Sequence, residues 1–326
     1  MTMLPRFSYV RPRSLDEAVR HLSEEGSLAH AGGSDLLGCL REHVLPVEKV
    51  VSISGLEELK GIAETPDGGL RLGALTTIAE VAAHPLIRER YAGLAQGASE
   101  VASPQLRNQG TLGGNLCQKP RCWYYRGEFQ CLRKGGSECF AVEGENAYHC
   151  VFGGGPCYIV HPSDTAPNLV ALGATIHLTG PRGSREVPAG EFFLPAGEVL
   201  DRETVVEPGE IVVRVVLPPP PPGLKSSYRK VRARRSWDFA LAGLALALNM
   251  ENGRVKEARA VLSGAAPMPW RSQELEHVLQ GSELDGDTVA RAARAAVDGA
   301  RPLEQNGYKV PLFQGVVEEE LLKAAG

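Results

Sequence analysis

The chain opens with a strand-like stretch, FSYVRP, and then carries helical spacing from Ser14 to His21, where Leu15, Ala18, Val19 and Leu22 recur on one face and Ser14 can cap the start. LAHAGGSDLLG places a glycine pair between a short apolar strand and a helix-like continuation, LLGCLREHV, and VEKVVSIS supplies a further strand. Together these predict a compact βαβ-type unit over about 1–58. GLRLGALTTIAEVAAHPLI reads as a strand, a turn and a helix capped near Thr77. After Leu116 the periodicity fails, and it returns only at YIVHPSDTAPNLVALGATIHLTG, so 117–158 reads as an insertion into a fold that would close without it.

ATIHLTG, SREVPAG and EIVVRVVLP read as strands. The proline run at 218–222 cannot join a sheet interior and prefers an extended form, which places a domain boundary there. Beyond it, SSYRKVRARRSWDFALAGLALALNME and RVKEARAVLSGAA read as strands, and SQELEHVLQG, LDGDTVARAARAAVDG and GVVEEELLKAAG as helices. The apolar run FALAGLALALNM falls short of the roughly 20 residues that a membrane helix needs, and is expected to be a buried element. No internal repeat is visible.

The 326 residues are 43% hydrophobic and 23% charged, enough to bury a core in each of two domains. The formal charge of -4 carries no long single-sign run, which argues against nucleic acid or an anionic membrane surface as a partner. The N-terminus lacks the pattern of an export signal, and a cytoplasmic location is expected. Six of the seven cysteines fall between Cys117 and Cys157, with Cys39 alone elsewhere. That crowding reads less as a disulfide framework than as a metal or redox site.

Three short stretches could hold a cofactor. AGGSDL (31–36) and TLGGN (111–115) are glycine pairs flanked by hydroxyl and polar side chains, and such backbone lets several N–H groups converge on an anion. Each alone reads first as a plain tight turn. In HPSDTAPNLVALGA, Asp164 precedes an apolar segment, either as a helix cap or as an acceptor for sugar-alcohol hydroxyls. The chain has no GxGxxG, so a Rossmann dinucleotide site is excluded. The cysteines run Cys117-x4-Cys122-x8-Cys131-x7-Cys139-x10-Cys150-x6-Cys157, with no CxxC knuckle and no ferredoxin run. Spacing alone leaves Zn²⁺ and a [4Fe–4S] cluster equally open, because four thiolates satisfy either.

The order AGGSDLL, RNQGTLGGNL, SDTAPNLVALGA, YRKVRARRSWDFALAG resembles the flavoprotein (medium) subunits of the molybdenum hydroxylases, the xanthine dehydrogenase and carbon monoxide dehydrogenase family, over nearly the whole chain. The resemblance implies an α+β fold: a vanillyl-alcohol-oxidase-type (PCMH-type) FAD-binding domain over 1–222, with subdomains of about 1–58 and 59–222, and a C-terminal α+β domain over 223–326. It also implies FAD as cofactor. Ala31, Gly32, Gly33, Ser34, Asp35 and Leu36 match the first pyrophosphate loop, and Thr111, Gly113, Gly114 and Asn115 the second. Asp164 matches an acid for the ribityl or sugar hydroxyls, Val212 an apolar position near the adenine or flavin, and Lys230 a basic residue close to the isoalloxazine ring. On its residues alone, Lys230 reads equally well as a solvated strand lysine among arginines.

The insertion resembles that of the branch known from 4-hydroxybenzoyl-CoA reductase and some bacterial aldehyde oxidoreductases, which holds a [4Fe–4S] cluster. Carried across, the ligands are Cys122, Cys131, Cys139 and Cys157; Cys150 is a fifth thiol, either a bystander or a replacement for one of these. On the residues themselves, Cys117 reads as a packed residue of the flavin loop, and Trp123, Tyr124 and Tyr125 as a shield for a cluster or simply the anchor of the insertion. The function implied is electron transfer in an oxidoreductase. Electrons would pass between FAD here, a small [2Fe–2S] subunit and a large molybdopterin subunit, and an external carrier such as ferredoxin or NAD, in a dimer of heterotrimers. No residue of this chain is expected to be a general base. Two rivals remain: a self-contained flavin oxidoreductase using His30 or His161, and a zinc-stabilised scaffold subunit without redox chemistry.

Overall fold

The computed structural model describes residues 3–197 and 200–326 and shows an α+β chain built on three sheets. The first is parallel, in the order β1 (Ser8–Val10), β3 (Lys49–Ser52), β2 (Ser27–His30). The crossover between β1 and β2 is the helix Leu15–Leu22, which buries Ala18, Val19 and Leu22, and Ser14 Oγ accepts from the Glu17 N–H at its start. The second sheet has five antiparallel strands in the order β4 (Ile62–Glu64), β5 (Leu70–Gly73), β8 (Ile211–Leu217), β6 (Thr175–Gly180), β7 (Gly183–Pro188).

Thr77 caps the helix Ile78–Ala83 in a reciprocal box with Glu80. Three further helices, Pro85–Arg90, Ala92–Glu100 and Pro104–Gln109, fill a stretch whose spacing had marked no element after Ile87.

The chain leaves the second sheet at Leu217, crosses the prolines and enters the third sheet at β9 (Leu224–Val231). That sheet is antiparallel, in the order β12 (Trp270–Arg271), β11 (Arg254–Ser263), β10 (Ala242–Glu251), β9. The continuous apolar run of β10 is explained by burial on both faces. Leu244, Leu246 and Leu248 pack against the helices Gln273–Leu279, Gly286–Ala295 and Lys309–Ala325, while Ala245 and Ala247 join the core of the second sheet. Small side chains on that second face let the helices Ala92–Glu100 and Ala166–Ala171 approach the C-terminal sheet closely. The last helix begins at Lys309, ahead of the expected GVVEEELLKAAG.

Residues 117–158 contain only one turn of helix, Trp123–Arg126, and a 3₁₀ turn, Leu132–Lys134. An aromatic nucleus holds the segment, with Tyr124, Phe129 and Phe140 ring centroids 5.0 to 6.0 Å apart. The C-terminal domain grips its far end. Buried Lys309 donates from Nζ to the carbonyls of Tyr148 (3.3 Å), His149 (3.0 Å) and Gly264 (2.8 Å), and Asn306 Nδ2 donates to those of His149 and Cys150. Among the described residues no helix is long and apolar enough to cross a membrane.

Candidate cofactor site

The two glycine loops meet. Loop 31–36 connects β2 to the helix Leu36–Arg41, and 111–115 enters the short helix Leu112–Leu116. A Cβ on Gly32 would lie 1.9 Å from the Gln109 carbonyl oxygen, and Gly33 has φ +71°, so both positions require glycine, one for approach and one for conformation. Ala31, Gly32, Gly33, Ser34, Asp35, Leu36, Thr111, Gly113, Gly114 and Val212 all line one cavity of about 260 Å³, closed by Ile53, Leu75 and Ile211.

The loops differ in what they offer. In the second, the Gly113 N–H donates to Ala74 O (2.8 Å) and the Gly114 N–H to Thr111 Oγ1 (3.2 Å), so these donors are already used. In the first, the N–H groups of Gly32, Gly33, Ser34 and Asp35 find no acceptor among the described residues. Free backbone donors at a glycine loop suit a pyrophosphate, so these residues fit FAD. The second loop contributes wall more than donors.

Asn115 turns away from this cavity. Its Oδ1 accepts from Ser163 Oγ (2.5 Å) and Thr165 Oγ1 (2.7 Å), which ties the second loop to the HPSDT turn. Asp164 therefore sits at a second cavity, of about 460 Å³, with His161, Ser163, Ser263, Arg121, Phe239 and Trp123 in its walls. Asp164 does not cap the following helix. Its Oδ2 accepts from Lys230 Nζ (2.7 Å) and its Oδ1 from Tyr228 Oη (2.8 Å), which also bonds Ser263 (2.9 Å).

Burial pushes the Asp164 carboxyl above its ordinary range, against the pull of Lys230. Lys230 is thus a buried ion-pair partner, 1% exposed, that also donates to Glu100 O. The solvated-lysine reading of it fails. Nothing local in the sequence marks Tyr228, although it lies two residues from Lys230 on β9 and so on the same face. Of the two histidines considered for a self-contained enzyme, His161 lines this cavity, while His30 borders the first loop under Gly33.

The insertion brings Cys122, Cys131, Cys139 and Cys157 to the walls of a single small space of about 10 Å³, with Arg133 and His149 beside them. Cys139 and Cys157 perturb one another: the neighbouring thiol pulls Cys139 below its ordinary value, while that neighbour and burial push Cys157 up. Burial pushes Cys122 up to about 11, and its Sγ lies 3.3 Å from His149 Nε2. Cys150 lies outside this group, buried near Lys309 and with its thiol at about 12. Cys117 lines the glycine-loop cavity, and Cys39 packs against Cys131 and Tyr125.

The donor set is chemically suited to a thiophilic metal site, but the space is small. Among the described residues no group of three or more His, Cys, Asp or Glu side chains is arranged to hold a metal ion. Cys122, His149 and Ile159 line both this space and the larger cavity, so they form the wall between the two.

Residues 5–220 match the family described as FAD binding domain in molybdopterin dehydrogenase. The chain belongs to that family. Residues 197–323 match CO dehydrogenase flavoprotein C-terminal domain. Among its relatives, aldehyde oxidoreductase FAD-binding subunit PaoB of Escherichia coli (strain K12) is 35% identical over 98% of both chains. The carbon monoxide dehydrogenase medium chain of Hydrogenophaga pseudoflava is 29% identical, over 92% of this chain and 89% of its own.

The solved carbon monoxide dehydrogenase from Hydrogenophaga pseudoflava, a form lacking the Mo-pyranopterin moiety, superposes with a TM-score of 0.78 at 28% identity, covering 99% of this chain and 98% of that one. Quinoline 2-oxidoreductase from Pseudomonas putida 86 gives 0.77 at 25% identity, covering 99% and 98%. The expected α+β architecture, FAD as cofactor and membership of an oxidoreductase are thereby established for this flavoprotein.

Proposed function

We propose that this flavoprotein is the electron-transfer subunit of a three-part molybdenum hydroxylase, carrying FAD and a [4Fe–4S] cluster between a small [2Fe–2S] subunit with its large molybdopterin partner and an external carrier such as ferredoxin or NAD. The observation that carries the FAD half is the meeting of the two glycine loops at one cavity with four unspent N–H donors. Loop 31–36 would hold the pyrophosphate, Val212 and Ile211 would cover an apolar part, and the 460 Å³ cavity beside Asp164 would take the ring system.

When bound, a flavin exchanges one or two electrons while iron–sulfur centres exchange one, which suits it to a junction in an electron chain. The chain's own residues bind and orient the cofactor. The Asp164–Lys230–Tyr228 network fixes one wall without a free general base.

The cluster half rests on the resemblance of the insertion and on four thiols that line one small space, with Arg133, 2% exposed and paired with Glu203, at its edge. Cys122, Cys131, Cys139 and Cys157 would be the ligands, and the shared wall of Cys122 and His149 would be the short path to the flavin cavity. The complex-level part rests on the likeness to medium chains of such enzymes.

Metal and flavin analysis of anaerobically purified protein, with EPR before and after dithionite, tests both halves. Flavin with about four irons and a reducible signal supports the reading. Flavin without iron removes the cluster, and zinc without flavin overturns the whole. Co-purification with iron–sulfur and molybdopterin polypeptides tests the partners.

A further inference from the structure

The cysteine-rich insertion reaches back to the first glycine loop. Asp35 stands at the N-cap position of the helix Leu36–Arg41, where an aspartate ordinarily folds its carboxylate back onto nearby backbone N–H groups. Here it makes no such bond. Asp35 Oδ1 accepts from Arg126 Nη2 (2.8 Å) and from Arg121, and Oδ2 accepts from the Lys119 N–H (2.7 Å). Burial pushes the Asp35 carboxyl up, but the two guanidiniums outweigh it and hold the pKa below its ordinary value.

Arg126 is built for this position. Its Nε donates to Pro120 O (2.7 Å), Nη2 also to Lys119 O (3.2 Å), and Nη1 to Glu42 Oε2 (3.0 Å), just past the other end of the same helix. The guanidinium crosses the helix beside Gly38, where a Cβ would sit 3.8 Å from Nη1. Cys39, on that helix, packs on Cys131 and Tyr125 of the insertion.

We propose that Arg126 is a positioning residue for FAD: by drawing the Asp35 carboxylate outward, it keeps the loop's N–H groups open for the pyrophosphate. Without Arg126 the carboxylate keeps only Arg121 and the Lys119 N–H as partners, so it is held less firmly away from the loop and presents a less compensated like charge to the phosphates. The insertion thus sets flavin affinity, whether or not it also carries electrons. The inference rests on loop 31–36 holding the pyrophosphate.

The test is FAD titration of deflavinated protein, followed by flavin fluorescence, on wild type, Arg126→Met, Arg126→Lys, Asp35→Ala and the double variant Asp35→Ala/Arg126→Met. Arg126→Met is expected to weaken FAD binding roughly tenfold. Arg126→Lys should recover part of the loss, because one ammonium reaches Asp35 but cannot also span to Glu42. Asp35→Ala in the Arg126→Met background should restore affinity, since the like charge is gone, and a merely structural role for Arg126 would not be rescued this way. Affinity unchanged in Arg126→Met, or no rescue in the double variant, overturns the proposal. Should Arg126→Met fail to fold, Arg126→Lys with and without Asp35→Ala decides the same question. Wild type that binds no FAD would instead overturn the pyrophosphate reading itself.

Discussion

Lys230→Met would strand the Asp164 carboxylate in the seam between the FAD-binding domain and the C-terminal sheet. Both side chains are nearly inaccessible, 1% and 5% exposed, and the pair spans 66 residues of sequence. Removing one partner of such a pair costs about 3–5 kcal/mol, because the remaining charge is buried without compensation. At about 2–4 °C per kcal/mol for a unit of this size, melting should fall by roughly 10 °C.

Asp164→Asn/Lys230→Met removes both charges and their desolvation penalty together, and Tyr228 keeps Ser263 as a partner, so the double variant should melt closer to wild type. The sign of the pH dependence follows. Burial already lifts the Asp164 carboxyl, and loss of the ammonium lifts it further. The native state of Lys230→Met then binds its proton before the unfolded chain does, so its deficit is full at neutral pH and shrinks as pH falls toward the carboxylate range. Differential scanning calorimetry with bound-flavin content as a second readout checks this. A single variant that melts with wild type, or a double variant that loses the sum of the two singles, would refute the reasoning.

Gly32→Ala should push the two glycine loops apart, since its Cβ has backbone oxygen at 1.9 Å; a loss of about 1–3 kcal/mol and of bound flavin is expected, read as FAD per chain after gel filtration. Burial pushes the His161 pKa down to about 4 from 6.5, so the unfolded chain protonates first. Stability present above about pH 6.5 should therefore be lost progressively down to about pH 4, by about 3 kcal/mol, and urea unfolding of wild type and His161→Gln should differ in that slope. Lys309→Met should free the end of the insertion by taking the donor from three carbonyls, at about 2 kcal/mol, and limited proteolysis should then cut near 140–150. Thr77→Ala should cost about 1 kcal/mol of stability by opening the capping box, without moving flavin content.

What could be read from sequence follows the range of the forces involved. Ser14 and Thr77 were visible as caps because capping is settled within a few residues. The glycine loops were visible because only glycine fits a backbone approach or a φ such as that of Gly33. The prolines marked the passage between sheets because they cannot enter a ladder.

The helices of 85–109 were harder. Ala92–Glu100 buries small residues on more than one side, so no amphipathic stripe announces it. Asp164 does not cap the helix that follows it, and the ion pair it makes instead is invisible locally. Which partners claim a carboxylate depends on chains that arrive from far away, here Lys230 and Tyr228.

Local sequence therefore determined the caps, the glycine loops and the proline passage, because propensity, capping and turn chemistry act over a few residues. Tertiary structure alone decided which donors stay free. It spent the N–H groups of Gly113 and Gly114 on Ala74 and Thr111 and left those of loop 31–36 open, and it turned Asp35 toward an arginine 91 residues away. A hydrogen-bonding group has no role until packing fixes which partner it reaches, and that depends on the whole fold.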